Sequence, residues 1–422
     1  MSTQVAEQKD WYYQGSNQLS LQWRNHAAVY RAIWDLGQLS RAELAARTGL
    51  NPGTITRIVN KMIEEGLVTE IGNVELPLGR PPIQLEINAH AAYVVGVNLN
   101  RNSTTAALVD LRGQMSETIT FDQLNVLADR QYAIHRVLHS IQLLLEGASI
   151  SQRRILGIGV GVPGRVQPET GTIYLSDRGE ASPDDELLSL SGLISDTFEL
   201  PTRIDNNANA SALAEQYFGA GRHVNSFVFL RCDVGVGGGV VIDRNLHRGR
   251  DGGAGEFGHV TVDTTGQPCR CGNIGCLELY ASVPGILSRC VTVLSRPAAE
   301  INVDMVASAY TAGLGGVRKV IQSVAGYIGR AVINIVNTNA PDLVIIGGGL
   351  GELAPIIAEL VQQQVCSAIF APLRDHVQVV GSRLKNAPVQ GAATLIIREA
   401  IATGMYDSII GRKLQEQVER KV

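Results

Sequence analysis

The chain reads as two parts, an all-α winged helix-turn-helix domain over residues 21–88 and an α/β body of two related lobes over residues 89–400. Three observations carry this reading. Two short capped helices are joined by a tight turn at Gly49-Leu50-Asn51, and an alternating stretch follows them. A strand, turn, strand pattern at 94–99 and 105–111 returns at 226–231 and 237–243, with helical stretches between. Finally, 422 residues exceed one ordinary core, and at about 150 residues per domain they suggest two or three.

The first twenty residues form a tail without the apolar core and basic flank of a targeting leader. No apolar run reaches membrane-spanning length, so the expectation is a cytoplasmic protein with no membrane insertion. Ala28, Val29, Ile33 and Leu36 then recur at the spacing of one helical face. Ser40 and Glu43 form a capping box that opens a second helix, and Gly49 closes it. Asn51 caps the third helix with Pro52 at its first position, and Ile55, Ile58, Val59 and Met62 form its buried face.

The other face of that third helix presents Thr54, Thr56, Arg57, Asn60 and Lys61, with Asn51 at its start. These residue types reach phosphates and base edges in a major groove. Residues 67–87 alternate like a two-stranded wing, with Pro77, Gly79, Arg80, Pro81 and Pro82 at its tip. Arg80, on that stiff arm, is placed for the adjacent minor groove. Charge does not separate this reading from a plain three-helix bundle, since basic residues at 24, 31, 41, 47, 57, 61 and 80 meet acids at 35, 43, 64, 65, 70 and 75. The agreement of capped turn, polar face and wing favours DNA.

Beyond residue 91, apolar strands at 155–162 and 343–346 alternate with helices at 127–146, 208–218 and 315–337. The lobes are expected at 89–205 together with the C-terminal helices, and at 206–380, with ligands in the cleft between them at the strand ends. Residues 391–414 read as a helix, and 401–422 as its end and a charged tail. A hydrophobic share of 45% and a net charge of −4 describe a globular protein without a protein-wide basic field. Any DNA contact is therefore local.

Of the six cysteines, Cys269, Cys271 and Cys276 crowd together, while Cys232, Cys290 and Cys366 read as small buried apolar residues. That grouping suits metal binding better than a disulfide framework. With His259 upstream, the cluster supplies a closed Cys₃His set for a structural zinc ion, leaving no position for water. Three buried thiols and an unrelated histidine are the alternative, which the tight clustering disfavours. Glu256 and Glu278 flank the segment, where a rigid metal centre could aim them at a polyhydroxylated ligand.

The segments GAGEFGHV at 253–260 and CRCGNIGCLE at 269–278 resemble the ROK family of bacterial sugar kinases and sugar-responsive repressors, and the likeness extends over roughly residues 93–400. The winged helix ahead of it resembles the repressor branch. The resemblance implies an actin-like (RNase H-like) fold for the body. It also implies that His259 binds zinc through one ring nitrogen and faces a sugar with the other. Glu256, Glu278 and an Asn-Asp pair opening a helix would hold the hexose hydroxyls, which here places Asn206 and Asn207 in the site.

Departures from the kinase pattern then decide the expected function. Where the kinases place the Asp that takes the sugar proton, this chain has Asn207, and an amide accepts no proton at neutral pH. Asp205 lies one place too early. The first phosphate loop has become Asn98-Leu99-Asn100-Arg101-Asn102-Ser103, without its glycines, and the second begins Asp233-Val234 instead of Gly-Thr. Only Gly347-Gly348-Gly349 persists, which packing explains equally well. The expectation is a repressor without catalytic residues, acting as a homodimer or homotetramer on operator DNA and answering to a monosaccharide or its phosphate. A protein from sugar transport is a further possible partner. The alternative is a sugar kinase carrying an accessory DNA-binding domain.

Overall fold

A computed structural model describes residues 18–73, 82–122, 130–151, 154–167, 171–174 and 188–403. The first part of the N-terminal tail, the wing tip with Arg80 and the charged C-terminal tail lie outside these residues. The chain divides into two compact units, Met1–Ala91 with Arg398–Val422 and Ala92–Ile397.

In the smaller unit, α1 (Gln18–Leu36), α2 (Arg41–Thr48) and α3 (Pro52–Glu64) pack with β1 (Leu39–Ser40), β2 (Val68–Asn73) and β3 (Ile83–Ile87). The strands form one antiparallel sheet in the order β1-β3-β2. Ser40 closes the capping box, since its hydroxyl accepts the Glu43 N–H while the Glu43 carboxylate accepts the Ser40 N–H at 2.8 Å. The Ser40 N–H and the Ser40 hydroxyl, both donating to the Glu43 carboxylate at 2.8 Å, hold its pKa below the ordinary value. Asn51 Oδ1 accepts the Thr54 N–H at 2.8 Å and starts α3. The buried stripe of α1 differs from the spacing read in the sequence: Val29, Tyr30, Ile33 and Trp34 are buried, Ala28 is exposed and Leu36 is half-buried. Two aromatic rings fill the space that aliphatic spacing alone had assigned to smaller side chains.

The body is built twice on one plan. Its first half runs β4 (Tyr93–Leu99), β5 (Ser103–Asp110), β6 (Met115–Asp122), α4 (Arg130–Gly147), β7 (Ile155–Val162), β8 (Arg165–Gln167), β9 (Thr172–Tyr174), β10 (Leu188–Ser189), α5 (Leu190–Phe198) and β11 (Thr202–Asn206). The second half runs α6 (Asn207–Phe218), β12 (Phe227–Cys232), β13 (Val236–Ile242), β14 (Asn245–His247), α7 (Glu278–Ala281), α8 (Val283–Leu294), α9 (Val303–Thr311), α10 (Gly315–Asn339), β15 (Leu343–Gly348), α11 (Leu353–Ala368) and β16 (Gln378–Gly381), followed by α12 (Ala387–Thr403).

The five-stranded sheets have matching orders, β6-β5-β4-β7-β11 and β14-β13-β12-β15-β16. In each, three antiparallel strands continue into two parallel ones. Strands β6, β14 and β16 had no counterpart in the sequence reading, because their short or evenly alternating stretches do not stand out from loops. Each sheet has its own apolar core: Val95, Val137 and Val160 in one lobe, Ile321, Ile328 and Ile346 in the other. At about 1.5–3 kcal/mol for each fully buried aliphatic side chain, each core stabilises its own sheet and helices. Helix α12 returns to the first sheet, where Ala392 packs directly on Gly159.

Candidate functional site: a metal centre beside a polar cavity

The cysteine segment folds as a tight hairpin in which Thr261 bridges Cys276 and Pro268 bridges Ile274. Gly275 is required at its turn: its φ is +64°, and a Cβ there would lie 1.7 Å from the Asp263 carbonyl oxygen. The turn brings one donor atom each from His259, Cys269, Cys271 and Cys276 within 4.8 Å of one another. His259 Nδ1 lies 3.8 Å from Cys269 Sγ, and Cys271 Sγ lies 3.6 Å from Cys276 Sγ. A tetrahedral ion bound by sulfur at about 2.3 Å sets its sulfurs about 3.8 Å apart, so this cage can hold a metal ion. The hairpin is tied to the lobe by Tyr280, whose hydroxyl donates to Asp263 Oδ2 at 3.1 Å and whose ring stacks on Tyr327 of α10 at 4.0 Å. Among the other cysteines Cys232 and Cys290 are buried, but Cys366 is exposed, because it sits one residue past Val365 and off the buried face of α11.

Beside the cage a cavity of about 370 Å³ opens between the lobes, and Asn206, Asn207, Glu256, His259 and Glu278 all line it. Asn206 ends β11 and caps α6. Its Oδ1 accepts the N–H groups of Ala208 and Asn209, while its Nδ2 donates to the Gly164 carbonyl at 2.6 Å. Asn207 follows as the first residue of α6; it is only 6% exposed, and its side-chain amide has no hydrogen-bond partner among the described residues. Asp205 does not line the cavity. Its carboxylate is held by Arg248 at 2.7 and 2.9 Å and by the Asn209 amide at 2.9 Å, so it points into the fold.

The two glutamates are held differently. Burial pushes the Glu256 carboxyl above its ordinary pKa, against the pull of His259 and Arg165, and Glu278 adds to the rise. Glu278 Oε1 accepts from Arg270 at 2.9 Å and its Oε2 from the Val236 N–H at 3.0 Å. Arg101, Arg165, Tyr174, Arg231 and Arg270 also line the cavity, and the sequence reading missed them. Signals existed for Arg270, which lies inside the cysteine motif, and for Arg101, which lies in the altered first loop. Arg165, set 5.5 Å over the Tyr174 ring, depends on a hairpin with no local pattern of its own.

The strand-end loops show what became of the phosphate-type segments. Asp233, after β12, forms an ion pair with Arg231 and accepts from Asn100 Nδ2 at 3.4 Å, so the two lobes touch through side chains. The surviving glycine triplet is filled from within: a Cβ on Gly348 would lie 3.0 Å from Arg231 Cγ, and one on Gly349 2.9 Å from Asp233 Oδ1. Packing therefore accounts for these glycines.

On α3, Asn51, Thr56, Arg57, Asn60 and Lys61 are exposed and Thr54 is half-buried. Asn60 is engaged by Arg41 at 3.1 Å, Lys61 faces Glu65 at 3.7 Å, and the Thr56 hydroxyl donates back to the Pro52 carbonyl. Burial, then the charges of Lys61 and Arg57, hold His26 below its ordinary pKa.

Fold and site first define a class, a DNA-binding winged helix joined to a two-lobed body with a His/Cys cluster against its cavity. Residues 24–69 match the winged helix-turn-helix DNA-binding family, and residues 94–399 match the ROK family. The chain belongs to the ROK family. It is 31% identical to the xylose repressor of Bacillus spizizenii over 88% of this chain and 94% of the relative. It is 27% identical to the DNA-binding transcriptional dual regulator NagC of Escherichia coli K12, over 89% and 92%. Among solved structures, a ROK family transcriptional regulator described as a homolog of the E. coli MLC protein superposes with a TM-score of 0.71 at 28% identity, over 94% of this chain and 99% of that one. No helix among the described residues is long and apolar enough to cross a membrane.

Proposed function

We propose that this protein is a sugar-responsive transcriptional repressor. Its winged helix holds operator DNA as part of a homodimer or homotetramer, and its body binds a monosaccharide or sugar phosphate without phosphorylating it. The observation that carries the reading is Asn207, a buried amide on the cavity wall where the ROK kinases place the proton-accepting Asp. The relatives' names, a xylose repressor and a DNA-binding transcriptional dual regulator, support DNA-binding transcriptional control.

His259, Cys269, Cys271 and Cys276 would hold zinc, which supplies a cross-link of the hairpin and no reaction step. The Nδ1 side of His259 faces the cysteines, so the ring is oriented while its body lines the cavity. Asn206, Asn207, Glu256 and Glu278 offer paired donors and acceptors to adjacent hydroxyls. A ligand touching both lobes favours the closed arrangement, and it acts on DNA only through that difference in affinity. Thr54, Arg57 and their neighbours on α3, with Arg80, are the proposed DNA contacts.

The test is a binding site selected from random duplexes, followed by anisotropy titration with D-xylose, D-glucose, N-acetyl-D-glucosamine and the 6-phosphates of the last two. Release of the duplex by at least one sugar is expected. Failure to select any duplex would refute the DNA arm, and identical affinity with every sugar would refute the sensing arm in favour of control by a protein partner. ADP release faster than about 1 s⁻¹ with ATP and these sugars would replace the repressor by a kinase.

A further inference from the structure

Glu278 is the most restrained carboxylate on the cavity wall. Its Oε2 accepts the Val236 N–H at 3.0 Å and takes the space beside Gly235 that a side chain would need, since a Cβ there would lie only 2.8 Å away. The other oxygen is held by Arg270 at 2.9 Å, with the two side chains 34% and 15% exposed. Arg270 stands between Cys269 and Cys271, so an ion held by those two thiolates would fix its backbone on both sides. Both Arg270 and Glu278 line the cavity. An enclosed carboxylate without a cation loses hydration when a ligand covers it, and its rotamer is free to turn.

We propose that Arg270 is a positioning residue for effector specificity. It aims and charge-balances Glu278, so that Glu278 accepts from adjacent hydroxyls of only one configuration. The proposal rests on the reading that this cavity takes a sugar. The ligand class is a polyol with vicinal hydroxyls, one of which lies against the Arg270–Glu278 pair. A correctly placed hydroxyl gains a charge-assisted bond to a fixed acceptor, while its epimer must move the carboxylate off Arg270 and the Val236 amide. The consequence is a preference between epimers, beyond a gain in affinity.

The experiment measures the Kd of the full-length, zinc-loaded protein for D-glucose, D-mannose, D-galactose, D-xylose and N-acetyl-D-glucosamine by calorimetry, with metal content assayed on each sample. The proteins are the wild type, Arg270→Met, Arg270→Lys, Glu278→Gln and the Arg270→Met/Glu278→Gln double variant. Arg270→Met is expected to weaken the best sugar about tenfold or more and to shrink its advantage over its epimer. Arg270→Lys should recover most of both, and Arg270→Met should cost little further in the Glu278→Gln background. A change below twofold in Arg270→Met, or losses that add in full in the double variant, would overturn the proposal; the additive result points to damage of the cage instead. If the wild type binds no sugar of this set, the sugar-sensing reading itself fails, and that result is distinct from a wild type that binds with an indifferent Arg270.

Discussion

Two neighbouring side chains, Asp205 and Asn207, show how much one position decides. Asp205 has the chemistry of a base but is spent on Arg248, whereas Asn207 lines the cavity and lacks the chemistry. Arg231 and Asp233 moreover fill the glycine-lined strand end. Asn207→Asp is therefore expected to leave sugar-dependent ADP release below about 1 s⁻¹ in a coupled assay. The cage makes a second prediction: Cys276→Ser, at a fully buried ligand position, should drop bound zinc well below one per chain. Its thermal midpoint should fall as expected for a loss of about 4 kcal/mol or more. Metal analysis and a melting curve check both.

Burial also sets a pH dependence at Glu215, a wholly buried residue of α6. Burial raises its carboxyl above the ordinary value, and the bonds from Ser382 and the Ala220 N–H only partly oppose this. The folded state thus holds the proton to higher pH than the unfolded chain does. This group's contribution to stability is full below the unfolded pKa and is lost as pH rises through the folded one. Glu215→Gln should flatten that part of the profile in urea titrations run upward from pH 4.

At the level of single elements, the caps decide where helices begin. Ser40 and Asn51 satisfy N–H groups at the starts of α2 and α3, and the turn between them orients the face that carries Arg57. Asn51→Ala is expected to cost about 1 kcal/mol of head stability, read as a shift in denaturant midpoint. Capping chemistry is local, so these helices were legible in the sequence. The α1 stripe was misjudged because its aromatic rings pack through tertiary contacts that spacing does not report.

Across the whole body, two sheets of matching order hold a cavity whose walls come from both. Asn100 of one lobe bonds to Asp233 of the other, so this contact favours the arrangement in which both walls face a ligand. Removing a bond of this kind costs about 1 kcal/mol. Asn100→Ala should therefore weaken apparent sugar affinity by up to about fivefold, through a smaller population of the closed form. Calorimetry with the best sugar of the panel measures it.

The sequence by itself determined the capped helix-turn-helix, the repeated strand pairs, the His259, Cys269, Cys271 and Cys276 cluster, and an amide at residue 207. Each depends on residue type at short spacing, which the chain order preserves. Only the tertiary structure decided that Arg248 removes Asp205 from the cavity, that Arg231 and Asp233 fill the glycine-lined strand end, and that Arg165 and Arg270 join the walls. Arg248 and Asp205 lie 43 residues apart on separate elements, and Arg165 comes from a hairpin far from the cysteine motif, so the fold, rather than the order of the residues, brings these charges together.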